Sequence, residues 1–402
     1  MARVDTLSLN GDLGGSGGGT GWTTMSAWEA VAQSTFNNTE PWDLECNKDF
    51  GPTGLNDNVL ADAWIVSPTV TNPVTIKAAA GSEHNGVIAS GFVMVSTIAD
   101  NTLRVDMPYF VIQDVQFDSG AGTTNLQFRS DNGLTQRCIS KLDAAVGTAY
   151  GFYANATAPI IRNCLAISIN NPGTGTQYGY QLASAGDLYN CTAIGFKTLG
   201  FNTTSSISSR VSKNCVAYNN ALDFSSNCVA ATFENNASGD ASAVGTGCFT
   251  GVVAADFVNY QADATGDYSP APGQQLDGQI NPGQIILGYT DDIANITRDD
   301  PWEIGAYAIA GAPAGALLTS GTVTGETQTT ATIGCTTDTA GGTLYWYVSL
   351  SATPPSPADL KAGTGSVDFG NQVPGATGPQ TAGATGLTAN TQYWHYWIQV
   401  TA

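Results

Sequence analysis

The chain has 402 residues and a formal net charge of −20, from 33 acidic and 13 basic side chains; 42% of it is hydrophobic and only 11% charged. That length suits two or three domains, and so acidic a chain is repelled by phosphate backbones, which excludes direct nucleic-acid binding; no run of 18 apolar residues is present to span a membrane. Glycine (47 residues), Ser, Thr, Asn and Ala stand where Lys, Glu and Leu would build amphipathic helices, so the expected fold class is all-β, with short strands and frequent turns.

The N-terminal Met1-Ala2-Arg3-Val4-Asp5 has no basic region followed by an apolar run, so no signal peptide is expected. Synthesis in a host cytoplasm follows, and the eight cysteines begin as thiols. Residues 10–21 are Gly-rich, but no Lys-Ser/Thr pair follows the last glycine as a phosphate loop requires. Ser26 and Glu29 have the spacing of a capping box, in which hydroxyl and carboxylate satisfy each other's backbone N–H groups. They predict a short helix over 27–34 that covers the first open coil of a stack. Residues 1–60 thus read as an N-terminal segment with a capping helix. Beyond it, residues 63–66, 74–77, 91–95 and 109–112 have the length and the β-branched or aromatic enrichment of strands.

A repeat dominates the middle of the chain. Arg162-Asn163-Cys164-Leu165-Ala166, Tyr189-Asn190-Cys191-Thr192-Ala193 and Lys213-Asn214-Cys215-Val216-Ala217 match almost letter for letter, with Arg137-Cys138 before them and Asn235-Asn236 after. From Cys138 the spacings are 26, 27, 24 and 21 residues. Phe152, Tyr180, Phe201 and Phe224 keep the same rhythm, at 28, 21 and 23. Such a period is one coil of three short strands, with equivalent residues stacked about 4.8 Å apart. The Asn residues then predict a side-chain amide ladder, the Cys residues a column of small packed groups, and the aromatics a ring stack. Neighbouring coils bring Cα atoms within disulfide range, so cross-links are the alternative to free packed thiols. No CxxC or His-containing pair suggests a metal, and no cofactor is expected.

Two segments carry resemblances. Gly266-Asp267-Tyr268-Ser269-Pro270 and Asp299-Asp300-Pro301-Trp302-Glu303-Ile304-Gly305-Ala306-Tyr307 resemble the closing segment of right-handed parallel β-helix repeat proteins (pectate-lyase-like solenoids), in which a final strand shuts the last coil. This implies a right-handed parallel β-helix over 61–310. It says little about activity, since lyases, hydrolases, adhesins and viral spikes share the fold. After a linker at 311–316, residues 317–402 resemble a fibronectin type III-like β-sandwich. Thr330-Ala331-Thr332-Ile333-Gly334-Cys335 supplies an early strand, and Gly386-Leu387-Thr388-Ala389-Asn390-Thr391-Gln392-Tyr393 matches the corner where Tyr393 would lock a turn. The family adds one more strand after Val400, so that strand is missing or another element completes the sheet. The insert 351–356 resembles versions of this domain in structural proteins of tailed bacteriophages.

Catalysis has few candidates. A uronate lyase needs a cation or Arg for the substrate carboxylate and a Lys, Arg or His base; six Lys, seven Arg and two His are scattered, with His84 and His395 in different predicted domains. A glycoside hydrolase needs two carboxylates roughly 5–9.5 Å apart. Asp114 with Asp118, Asp291 with Asp292, and Asp299 with Asp300 are the candidate pairs, but the Gly-His-Gly and Arg-x-Lys signatures of sugar-cleaving β-helix families are absent. Asp291, Asp292, Asp299 and Asp300 are also calcium candidates, without a regular Asp-x-Asp-x-Asp spacing. The expected function is therefore structural: a virion surface protein of a tailed bacteriophage, either a capsid decoration or cement protein or a head or tail spike. Its partners would be other capsid or tail proteins, further copies of itself (homotrimers are common among such spikes) and a host glycan. A polysaccharide lyase or hydrolase, and a bacterial surface adhesin, are the alternatives.

Overall fold

The computed structural model describes residues 2–9, 11, 19–51, 53–96, 100–119, 124–142, 147–156, 158–168, 175–184, 186–204, 211–228, 232–261, 263, 265–277, 290–298, 303–308, 318–337, 341–353, 355 and 357–400. Most of the Gly-rich segment, the 311–316 linker, and Asp299, Asp300 and Trp302 lie outside the described residues. The chain forms two compact units, Met1–Ala310 and Gly311–Ala402.

In the first unit the strands line up in three parallel sheets of ten, nine and six strands. In the regular coils consecutive strands go to different sheets. Phe110–Gln113 lies in sheet one, Gln116–Ser119 in sheet two and Thr124–Phe128 in sheet three, and Leu134–Gln136 returns to sheet one beside Phe110–Gln113. Leu134 pairs with Ile160, Ile160 with Asp187, Asp187 with Val211, and Ser212 with Phe233, offsets of 26, 27, 24 and 21 residues. These are the spacings of the Asn-Cys repeat. The molecule is thus all-β, its strands stacked in a β-helix-like solenoid. Inward side chains of all three sheets, among them Ile112, Ile161 and Leu188, Phe117 and Ala166, and Leu103, Leu126 and Phe152, meet in one buried core. Burying each large apolar side chain contributes roughly 1.5–3 kcal/mol, set against about 1–2 kcal/mol of backbone entropy per ordered residue.

The stack begins at Arg3, ahead of the boundary expected at residue 61. Arg3–Leu7 pairs with Trp42–Cys46, and that strand with Val74–Ala78, all in sheet one. Here Arg3 pairs with Trp42, Trp42 with Val74 and Val74 with Phe110, offsets of 39, 32 and 36 residues. Long insertions between strands break the rhythm that makes later coils legible. One insertion holds the capping helix, Met25–Thr35. Its cap is Thr24, whose hydroxyl accepts from Ala27 N at 3.2 Å, not the Ser26–Glu29 box. Ser26 N donates to Asp57 and Glu29 accepts from Trp64 Nε1, so both are engaged by the neighbouring loop. Trp28, Ala32 and Phe36 seal the end of the core against Trp42 and Trp64. The strand expected at 63–66 is replaced by Val59–Ala61. Ala63 takes a left-handed φ of 53°, which turns Trp64 inward.

Sheet two is apolar on both faces. Its outer face, from Ile139, Leu165, Ile167, Ile194 and Val216, is covered by Phe257, Tyr268, Leu276, Ile293, Ile304, Ala306 and Tyr307, as parallel sheets require. Residues 303–308 form no strand and do not shut the last coil. They run across the outside of several coils: Gly305 N donates to Asn214 O, Ala306 N to Thr192 Oγ1, and Tyr307 OH to Gly86 O at 2.7 Å. The Gly-Asp-Tyr strand, Asp267–Pro270, pairs antiparallel with Phe257–Asn259 in the same covering layer.

The second unit has two three-stranded antiparallel sheets. One runs Leu318–Thr324, Ala331–Thr337, Gly378–Ala384; the other runs Asp368–Gln372, Thr343–Ser349, Trp394–Val400. A short helix, Pro357–Ala362, precedes Asp368–Gln372. Ile333, Val348 and Ala384 form its small core, with Trp346, Tyr393 and Trp397 packed around it. The Tyr393 hydroxyl accepts from Thr388 N at 2.9 Å, tying the turn before the last strand.

Candidate functional site: the turn column and its charged end

Between sheets one and two six successive coils make the same turn, with one residue in the left-handed region. These residues are Asp114 (φ 59°), Arg137 (50°), Asn163 (51°), Asn190 (51°), Asn214 (59°) and Asn235 (52°). Asn and Asp enter this region at lower steric cost than other non-glycine residues, so the repeat selects Asn for its backbone as well as its amide. The amides also bond from coil to coil: Asn214 Nδ2 donates to Asn190 Oδ1 and Asn190 Nδ2 to Asn163 Oδ1, both at 3.1 Å. Asn163 Nδ2 donates to the Asp291 carbonyl at 2.9 Å. Asn214 Oδ1 is buried with no partner among the described residues.

At the N-terminal end of this column ions replace amides. Arg137 binds Asp114 in a two-pronged bridge (2.7 and 3.0 Å) and reaches Asp291 with its third nitrogen at 2.5 Å. Burial alone would weaken the guanidinium's hold on its proton, but the bonds and charges of Asp114 and Asp291 outweigh it and raise its pKa. Beneath lies His84, 1% exposed. Its Nδ1 accepts from Gly86 N at 2.9 Å, so Nε2 carries the proton and donates to Arg137 O at 2.7 Å. Burial pushes its pKa down to about 4, so the ring is neutral at pH 7.

The covering segment is folded around a buried pair. Arg298 donates to the carbonyls of Asp291, Glu303, Gly305, Ala306 and Tyr307. The Asp292 carboxylate accepts from Ala294 N, Ile296 N and Ala308 N at 2.7–2.9 Å. Burial raises the Asp292 pKa, while these amides work against the rise. Asp291 and Asp292 therefore hold Arg137 and the backbone, respectively. Asp118 pairs with Lys141 at 2.7 Å, so Asp114 and Asp118 each face a cation of the next coil. Among the described residues no group of three or more His, Cys, Asp or Glu is placed to hold a metal. His84 and His395 lie in different units.

Inside the stack, Phe152, Tyr180, Phe201 and Phe224 form a continuous ring column, with centroids 4.8–5.1 Å apart and planes within 16°. The Tyr180 hydroxyl donates to Cys164 O at 2.6 Å. Cys138, Cys164, Cys191 and Cys215 are fully buried one coil apart, and all eight cysteines are free thiols. Burial raises the pKa of Cys164 and Cys191, so they are protonated packing groups, not nucleophiles. Sequence reasoning missed Arg137 as a column member, because only Cys138 beside it fits the repeat. It also missed Arg298, and it weighed His84 only as a catalytic base and Tyr307 only as part of a closing strand, not as ties between coils and covering segment. The visible signal for His84 and Arg298 was their rarity, two His and seven Arg in the chain.

The chain matches no known family pattern and no curated protein sequence.

Proposed function

We propose that this chain is a structural protein of a tailed-bacteriophage virion, a capsid decoration or cement protein or a spike, with a right-handed parallel β-helix and a fibronectin type III-like second unit. The carrying observation is the turn column with its covering segment. The described acidic residues of the candidate catalytic pairs instead bind cations of other coils or backbone amides, fastening the stack together. Such a body suits a rigid scaffold more than a catalyst. The handedness rests on the near-universal right-handed crossover between parallel strands. The fibronectin-like reading rests on the two small antiparallel sheets and the tied Tyr393 corner. In this reading the chain works as a homo-oligomer against other virion proteins and touches a host glycan.

The test is quantitative mass spectrometry of purified phage particles. A high copy number marks head decoration and a low one a vertex or tail spike; absence from the particle overturns the proposal. Purified chain incubated with acidic glycans should release neither reducing ends nor unsaturated uronate. Turnover would favour a polysaccharide depolymerase.

A further inference from the structure

Where the covering segment crosses the charged end of the turn column it leaves a cleft of about 330 Å³, at the small end of the roughly 300–1,000 Å³ of small-molecule sites. Three stretches far apart in sequence supply its walls: Glu83 and Asn85 from one loop, Asp114 and Arg137 from the column, and Ala294 and Asn295 from the covering segment. Asp114 and Arg137 form a buried floor, Glu83 is half-buried, and Asn85 and Asn295 are exposed at the rim. The floor carboxylate is already satisfied. Asp114 accepts from Arg137 with both oxygens and from Gln113 Nε2 as well. The rim keeps its hydrogen-bonding capacity. The side-chain amides of Asn85 and Asn295 have no partner among the described residues. Glu83 accepts from Gly81 N with Oε2, which leaves Oε1. Arg137 uses three of its five N–H groups.

We propose that this cleft binds one ring of a neutral sugar through its hydroxyl groups. The lining disfavours the other classes of small ligand. A cation would find the floor carboxylate already held by Arg137. An anion would meet Glu83 and Asp114 against a single guanidinium, in a chain of net charge −20. An apolar ligand would strip water from the two amides and the carboxylate and replace none of those bonds. A sugar hydroxyl both donates and accepts, so adjacent hydroxyls suit a rim that offers the Glu83 oxygen beside the Asn85 and Asn295 amides. A second hollow of about 300 Å³ shares Asn85 and Ala294 with the first and adds the exposed Val87 and Ile296. It gives the next unit of a glycan a place to lie, with apolar side chains against its C–H groups. This site rests on the glycan contact proposed above and gives it a position and a chemical class.

Saturation-transfer NMR on the full chain tests it, with glucose, galactose, mannose, rhamnose and N-acetylglucosamine as probes and glucuronate and galacturonate as acidic counterparts. At least one neutral sugar should bind, and both uronates should bind at least tenfold more weakly. Asn85 and Asn295 have left-handed φ values of 49° and 61°, which glycine tolerates. Asn85→Gly and Asn295→Gly should therefore keep the fold and each weaken binding about two- to tenfold, the double variant more. Asn132→Gly, the same exchange at a left-handed turn (φ 60°) outside the cleft, should leave binding unchanged. Absence of binding by every neutral sugar overturns the site, as does binding indifferent to both cleft exchanges. A uronate bound as tightly as the best neutral sugar overturns the class. A chain that binds these sugars but is absent from phage particles would keep the site and lose the virion reading; a particle protein that binds none would do the reverse.

Discussion

The solenoid and the second unit are both all-β, yet they are held by different means. In the solenoid a residue's worth is set by its equivalents one coil above and below. Asn bonds Asn, ring stacks on ring, and both faces of sheet two are buried. In the second unit the core is small, a cluster of Ile333, Val348 and Ala384 with Leu344 and Tyr347 also buried among the described residues, and stability comes from two sheets facing each other. The comparison teaches that a stack spreads one interaction over many coils, so a single break is felt by two neighbours at once.

Two separate unfolding transitions are therefore expected, and substitutions should shift one and spare the other. The largest effect should come from Tyr180→Ala, which opens a cavity in the ring column and removes two stacks. The solenoid should lose about 4 kcal/mol, read from urea unfolding, with the second unit's transition unmoved. A joint shift would break the distinction between the units. Acid should act next. An unfolded imidazole titrates near 6.5 and folded His84 at about 4, so between those values the unfolded chain binds more protons and stability drops as the pH is lowered. The loss, roughly 3 kcal/mol between pH 7 and 4, should disappear from the solenoid's pH profile in His84→Gln relative to wild type.

A smaller effect separates the two roles of the Asn column. Asn190→Ala loses both the amide bonds and tolerance of its left-handed turn, and should cost about 2 kcal/mol; Asn190→Gly keeps the turn and should cost about 1 kcal/mol less. Equal losses would mean that the amides alone matter. The smallest change should be a gain. Thr135 is fully buried and its hydroxyl has no partner among the described residues, so Thr135→Val should raise the solenoid's unfolding free energy by about 1 kcal/mol. A loss there would reveal a hidden partner for the hydroxyl.

The regular coils were legible because their strand offsets, 21 to 27 residues, are the spacings of Asn163, Cys164 and their equivalents. The N-terminal coils were not, because Arg3, Trp42 and Val74 are paired across insertions of differing length. The capping helix was found, but its cap was misplaced by two residues because Thr24 competes with Ser26 for the same role. The charged end of the column was hidden for another reason. Asp114 and Arg137 share a backbone position with the Asn residues but not a side-chain chemistry, so a search for repeated letters passes over them. Residues 303–308 carried a pattern that implied a strand. The apolar outer face of sheet two, which is visible only once the strands are stacked, gives that segment its different course.

That course sets an order of events in time. A coil needs only a partner some two dozen residues earlier, so coils can form one after another as the chain lengthens. The bond from Tyr307 to Gly86 spans 221 residues and cannot form until the chain has passed the last coil. The contact that joins early coils to late ones is therefore expected to form last in folding. Separating the coils between Gly86 and Asn214 must undo that contact, which makes residence time in the folded state a property this segment governs.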